Sequence, residues 1–270
     1  MSTNAVNYDQ IAPTYNRRFE GDQPQPILKA LLDIIGLSQI QKVLEVGCGT
    51  GFWLAGLEAM AIEPAGLKLF GLDLSRGMLQ QARVRNANVG LIQGRAESLP
   101  IEEESFDLIY CVHALHHFTR QQEFVTGCLH WLKPGGMLAL IGSDPHPLNP
   151  FRPRGEWYVY KYFEGVLQTD LARFPSWGQV TNWMIGAGYA RIEWQPIEDL
   201  NDSWQGVQVL ADPFLDKKAT SQLALLSEAN YQAGLNRMRA AINAAQNAGV
   251  ELEFHSVIHI DMLLGKKSPG

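Results

Sequence analysis

The chain of 270 residues carries 22 Lys and Arg against 28 Asp and Glu, a net charge of −6, with 46% hydrophobic and 19% charged residues. This suits a soluble α/β domain with a sizeable insertion, and the lack of any basic cluster beyond Lys266-Lys267 argues against a nucleic-acid partner, whose phosphates need cations. Three cysteines without metal-ligand spacing suggest neither disulfides nor a metal site, and with no signal-like segment or membrane-length apolar run the expectation is a cytoplasmic protein, monomer or homodimer.

From about 42 to 142, short apolar runs alternate with amphipathic stretches, the pattern of parallel strands covered by helices on both faces. Nearly continuous apolar runs at 43–46, 67–72, 89–93, 106–112 and 137–141 are the first five expected strands. Ser75 is placed to cap a helix running to about 85, and Pro134-Gly135-Gly136 to end a helix ahead of the fifth strand. Beyond Asp144, prolines at 145, 147, 150 and 153 lead into the aromatic run 157–163, a departure from the sheet. A helix over 179–187 closed by Gly188, a strand over 189–195, helices within 221–248 and a last strand over 257–264 complete the expected order. In segments, 1–40 is N-terminal, 41–144 a core, 145–178 a cap insertion, 179–197 a sixth-strand unit, 198–252 a helical insertion and 253–270 the final strand and tail.

The strongest local signal is Val43-Leu44-Glu45-Val46-Gly47-Cys48-Gly49-Thr50-Gly51, an apolar strand entering a turn with glycine at alternate positions. Stripped of side chains, such a turn lets backbone and a helix N-terminus approach a ligand. The third glycine falls one place earlier than in the nicotinamide fingerprint, where Phe52 stands instead, which leans away from NAD. In Gly71-Leu72-Asp73-Leu74-Ser75 a carboxylate ends the second strand, able to accept both hydroxyls of a ribose; alone, such an Asp is more often a helix-capping or solvent-facing residue.

These segments resemble motifs I and II of class I S-adenosylmethionine-dependent methyltransferases, in the branch that includes the ubiquinone and menaquinone biosynthesis enzymes. Gly94-Arg95-Ala96-Glu97-Ser98-Leu99-Pro100 with Ser105-Phe106-Asp107-Leu108-Ile109 resembles that branch's adenine loop and fourth strand, and Leu132-Lys133-Pro134-Gly135-Gly136 its following turn. The segment from Tyr8 to Asn16 resembles its N-terminal lid, so 1–40 is expected as lid helices. The resemblance covers roughly 8–143 and departs at Arg95, where many relatives carry an acidic residue. It implies a Rossmann-like α/β fold, a seven-stranded, mostly parallel sheet with helices on both faces and a helical, aromatic-rich cap from insertions after strands 5 and 6. It also implies S-adenosylmethionine as cofactor and S-adenosylhomocysteine as product. Glu45 and Gly47 would line the methionine end, Gly49 and Gly51 the turn beneath, Asp73 and Leu74 the ribose and adenine, and Ala96 with Glu97 the adenine edge. Tyr15, Cys48, Met78, Arg95 and His113 complete the expected cofactor lining; Cys48, a small residue in a tight turn, is given no chemistry.

Ligands of parallel α/β sheets bind beyond the carboxyl ends of the strands, so Val112-His113-Ala114-Leu115-His116-His117-Phe118 should border the reacting methyl group. His113 and His117 share a face if a helical turn follows, with His116 pointing elsewhere. His117, with an unperturbed pKa near ~6.5, is the expected base, paired with Tyr15 as in some related small-molecule enzymes, although a histidine here also serves structure alone. The expected function is methylation of an oxygen, nitrogen or carbon of a small-molecule acceptor, possible classes being aromatic or isoprenoid. The alternatives are a non-catalytic cofactor-binding or regulatory protein and, less favoured, a nicotinamide oxidoreductase. Aromatics at 157–163, with Phe174, Trp177, Trp183 and Trp204, either wall an acceptor pocket or fill the insertion's own core.

Overall fold

The computed structural model describes residues 8–12, 25–37, 40–60, 66–86, 88–98 and 101–270. Five strands run parallel, β1 (Lys42–Val46), β2 (Lys68–Asp73), β3 (Gly90–Gln93), β4 (Phe106–Val112) and β5 (Leu132–Gly142), in the order β3-β2-β1-β4-β5. A long strand β8 (Glu253–Lys266) adds antiparallel to β5, and its other edge pairs with β7 (Arg191–Gln205). The two-residue β6 (Glu156–Trp157) continues the β5 edge of β8, making eight strands among the described residues where seven were expected. The central strands are buried on both faces, which is why they read as unbroken apolar runs.

Helices α1 (Tyr8–Ile11), α2 (Gln25–Leu37), α3 (Phe52–Met60) and α4 (Arg76–Arg85) precede β4, and α5 (Gln121–Trp131) follows it. One face of the sheet packs against α2 and α3 through Leu28, Leu31, Leu54 and Leu57; the other packs Phe124 and Cys128 of α5 with Val180 and Met184 of α8 (Trp177–Ala187). α8 starts on a Ser176–Gln179 capping box and ends at Gly188 with φ of 94°, a left-handed terminus that glycine adopts without strain. The cap consists of α6 (Val159–Tyr162), α7 (Val166–Arg173), α9 (Ser221–Ala224) and α10 (Glu228–Asn247) around Tyr158, Phe163, Val209, Met238 and Phe254. Among the described residues no helix is long and apolar enough to cross a membrane.

Three local expectations are corrected. The strand read over 189–195 runs on to Gln205, so 198–205, expected within a helical insertion, is strand, and β8 begins at Glu253 rather than 257. The helix before β5 stops at Trp131, and Pro134-Gly135-Gly136 lies within β5 as an irregularity between the pairs Phe106–Leu132 and Leu108–Met137.

The turn into α3 is locked against α4 by the fully buried Asn86, whose Nδ2 donates to the carbonyls of Gly51 and Ala82 at 3.1 and 3.0 Å. Gly51 has φ of 70°, and a Cβ there would lie 2.3 Å from that Nδ2 and 3.1 Å from the Ala82 Cβ. Gly51→Ala should therefore lower unfolding stability by roughly 2–4 kcal/mol, the combined cost of a left-handed L-residue and overpacking, read as a shift in the urea midpoint.

Candidate active site

β1, β2 and β4 end at the same side of the sheet, and the residues that follow them enclose a cavity of about 560 Å³. The turn after β1 passes through Gly47, Gly49 and Gly51 with φ of 76°, 52° and 70°. The amides of Gly47 and Cys48 both donate to the Leu72 carbonyl, at 2.8 and 2.9 Å, laying the turn against the end of β2. Gly47 has no room for a side chain, since a Cβ would lie 2.5 Å from the Ala114 Cβ. Gly49 differs: nothing lies within 4 Å of where its Cβ would be, and its backbone is open to the cavity.

Asp73, the last residue of β2, accepts hydrogen bonds from the amides of Gly49 and Ser75, each at 2.8 Å. Burial raises its carboxyl above the ordinary value while the amides of Ser75, Gly49 and Leu74 oppose the shift. A carboxylate has about four acceptor sites, so two bonds leave capacity for a ligand's hydroxyls. Leu74, 59% exposed, and the buried Met78 and Ala96 supply apolar wall. Arg95, also on the wall, donates to Thr119 Oγ1 at 3.1 Å and lies 3.8 Å from Glu97. The Glu97 Oε1 accepts from the amides of Thr119 and Arg120 at 2.9 and 3.0 Å; burial acts to raise its carboxyl, but these amides and Arg95 outweigh it and hold it below the ordinary value.

Two expected positions are not on the wall. Glu45 is fully buried beneath the turn, where Tyr110 donates to its Oε2 at 3.1 Å and burial pushes its carboxyl well above the usual range. Gly51 faces Asn86 and α4. Cys48 lines the cavity but is 4% exposed, and burial pushes its thiol well up; burial likewise pushes the Cys111 thiol up to about 12, which disfavours the thiolate at both positions.

Past β4, His113 adopts φ of 50°, an uncommon conformation for a side-chain-bearing residue, held as its amide donates to the Ile141 carbonyl at 2.9 Å. A 3-10 turn, Leu115–His117, follows in place of the α-turn assumed above, and His116, expected to point elsewhere, lines the cavity with His113 and His117. The Tyr8 hydroxyl and His117 Nε2 share a hydrogen bond of 2.8 Å, and the two rings meet edge to face. Tyr15, the expected partner, lies outside the described residues. Asp9 beside Tyr8 accepts from Ser75 Oγ and the Gly77 amide, both at 2.7 Å, and these bonds lower its carboxyl below the ordinary value. Neither Tyr8 nor Asp9 was singled out as a site residue; their signal was the lid-like segment itself.

A second cavity of about 540 Å³ lies under the cap. Tyr8, His113, His116 and His117 line both cavities and so form their common wall. Of the expected aromatics, Trp157, Tyr160 and Phe174 line this second space, and His116 stacks on Phe174 with centroids 3.9 Å apart. Tyr158, Tyr162, Phe163 and Trp204 belong to the cap's core, and Trp177 and Trp183 pack beside the sheet. Among the described residues no group of three or more His, Cys, Asp or Glu side chains is arranged to hold a metal ion.

The family model of the methyltransferase domain matches residues 44–140. The demethylmenaquinone methyltransferase of Renibacterium salmoninarum is 24% identical over 208 residues, covering 71% of this chain and 85% of that protein. In fold, the chain is similar to a protein described as a methyltransferase from an antibiotic biosynthesis pathway of Anabaena variabilis, with a TM-score of 0.65 at 20% identity over 88% of this chain and 96% of that one. A phosphoethanolamine N-methyltransferase of Haemonchus contortus, solved with phosphomonomethylethanolamine and S-adenosylhomocysteine, gives a TM-score of 0.60 at 17% identity over 99% of this chain and 61% of the other. With a glycine turn, a strand-ending Asp73 and this sheet order all in one chain, residues 44–140 form a methyltransferase domain whose features are those of the class I S-adenosylmethionine-dependent enzymes.

Proposed function

We propose that S-adenosylmethionine occupies the cavity at the glycine turn, that a small-molecule acceptor occupies the cavity under the cap, and that the methyl group crosses at the wall the two share. The observation that carries this reading is that wall: Tyr8, His113, His116 and His117 border both spaces. The residues present fit the cofactor. Gly49 offers bare backbone, Asp73 has acceptor capacity for the ribose hydroxyls, and Leu74, Met78 and Ala96 offer apolar surface to the adenine. Gly47, Cys48, Arg95, Glu97 and His113 complete the enclosure, while Glu45 and Gly51 support the turn from below.

When bound, S-adenosylmethionine supplies an electrophilic methyl on a sulfonium and leaves as S-adenosylhomocysteine. An acceptor oxygen, nitrogen or carbon that gains the methyl loses a proton, and His117 is the group on the shared wall suited to take it. Tyr8 holds the His117 ring through its hydroxyl and takes the place expected for Tyr15. Trp157, Tyr160, Leu200, Ile258 and Ile260 on the second wall suit a metabolite with a ring or apolar body.

Calorimetric titration should show saturable binding of S-adenosylmethionine and S-adenosylhomocysteine and none of NAD, with Asp73→Ala weakening the sulfur ligands about 10- to 100-fold; equal binding by the variant would remove the ribose contact. In an acceptor screen that reads S-adenosylhomocysteine release, His117→Ala should lower kcat by about 10²-fold or more and Tyr8→Phe by a smaller factor. Both variants should keep cofactor affinity near wild type, and an undiminished kcat in His117→Ala would leave positioning as the chain's main contribution.

A further inference from the structure

One charged group on the second wall is not used by the methyl-transfer reading, on which this inference rests. β7 pairs with β8 up to Pro196 opposite Asp261, then resumes with Glu198 opposite Ile260, so Ile197 is an extra residue in a β-bulge. Along a regular strand side chains alternate between faces, and an uninterrupted β7 would present Gln195, Ile197 and Asp199 to the side where Ile260 and Met262 join the core. The bulge resets that alternation. Ile197 still packs against the core cluster containing Ile260 and Met262, while Glu198 becomes the cross-strand partner of Ile260 and Leu200 that of Ile258. Glu198, Leu200, Ile258 and Ile260 all line the second cavity.

A carboxylate is thereby set among aliphatic side chains, and among the described residues it has no hydrogen-bond or ion-pair partner. Burial alone acts on it and pushes its carboxyl above the ordinary range. The other charges on this wall are already provided for. Asp144 accepts from the amides of Trp177 and His146, at 2.9 and 2.8 Å, and Glu156, Arg154 and Lys218 are exposed to solvent that screens them. Partly desolvated and unpaired, Glu198 is the charge whose cost a ligand cation would offset, and Trp157, Tyr160 and Phe174 supply rings that attract such a cation.

We propose that Glu198 is the acceptor-specificity residue and that the acceptor carries a cationic nitrogen group, an ammonium or its alkylated form, which pairs with this carboxylate inside the second cavity. A protonated or quaternary nitrogen has no lone pair to attack with, so this group is a handle and the methylated atom lies elsewhere on the acceptor, nearer His117.

The test uses the full chain saturated with S-adenosylhomocysteine and three probes that share a ring, benzylamine, benzyl alcohol and benzoate, with binding followed by saturation-transfer NMR and calorimetry. Benzylamine should bind best to the wild type, and Glu198→Gln, nearly isosteric, should weaken it about tenfold or more while improving benzoate. Benzoate binding better than benzylamine, benzylamine affinity unchanged in Glu198→Gln, or no probe binding to protein that holds S-adenosylhomocysteine would each overturn the proposal. Failure to bind S-adenosylhomocysteine itself, in folded wild type, would instead overturn the methyl-transfer reading and this proposal with it.

Discussion

Two backbone amides, those of Gly49 and Ser75, meet on the carboxylate of Asp73, and through it the loops leaving β1 and β2 become one surface. Backbone donors at strand ends must find partners, and a single half-buried carboxylate answers for both loops. Main-chain bonds repeat the tie, from Gly47 and Cys48 to the Leu72 carbonyl and from Gly94 to the Asp73 carbonyl. The open side of Gly49 then faces the cavity. Ser75, held by the same carboxylate, caps α4 through Met78 and receives Asp9, which brings Tyr8 to His117.

The second cavity depends on a different device. β8 is long enough to pair with β5 along one half and with β6 further on, while β7 follows it on the other edge. This ribbon reaches past the end of the parallel sheet and carries the cap. An ionic anchor fastens the cap to it, since Arg152, 14% exposed, pairs with the buried Asp261 of β8 at 2.5 Å and with Asp199 of β7 at 2.7 Å, while within the cap Tyr158 donates to Asp212 at 2.5 Å. Removing one partner of such a buried pair costs about 3–5 kcal/mol, because the other charge stays buried alone. The wall of the second cavity is therefore set by the sheet's geometry as well as by the helices above it.

The parallel half of the sheet was legible because strands buried on both faces read as apolar runs and because a glycine turn at this spacing leaves few chain paths. β7 was not. Its residues from Asp199 to Gln205 are mostly polar and exposed, with only Leu200 and Trp204 apolar, and the bulge at Ile197 breaks the period-two alternation by which a strand is recognised. Glu45 shows the opposite limit: a carboxylate at a strand end reads as a ligand group, and only the three-dimensional packing places it under the turn. The pairing of Tyr8 with His117 spans 109 positions and has no local signature. His116 was misread because a 3-10 turn, with three residues per turn, changes which neighbours share a face.

One further consequence follows from α1. Its four residues contribute Tyr8 to the boundary of both cavities, and Asp9 joins it to the start of α4 by two hydrogen bonds, a part-buried one from Ser75 and an exposed one from Gly77. Because Tyr8 borders both cavities, the position of α1 shapes the two spaces together, and a substitution that shifts it is felt in both.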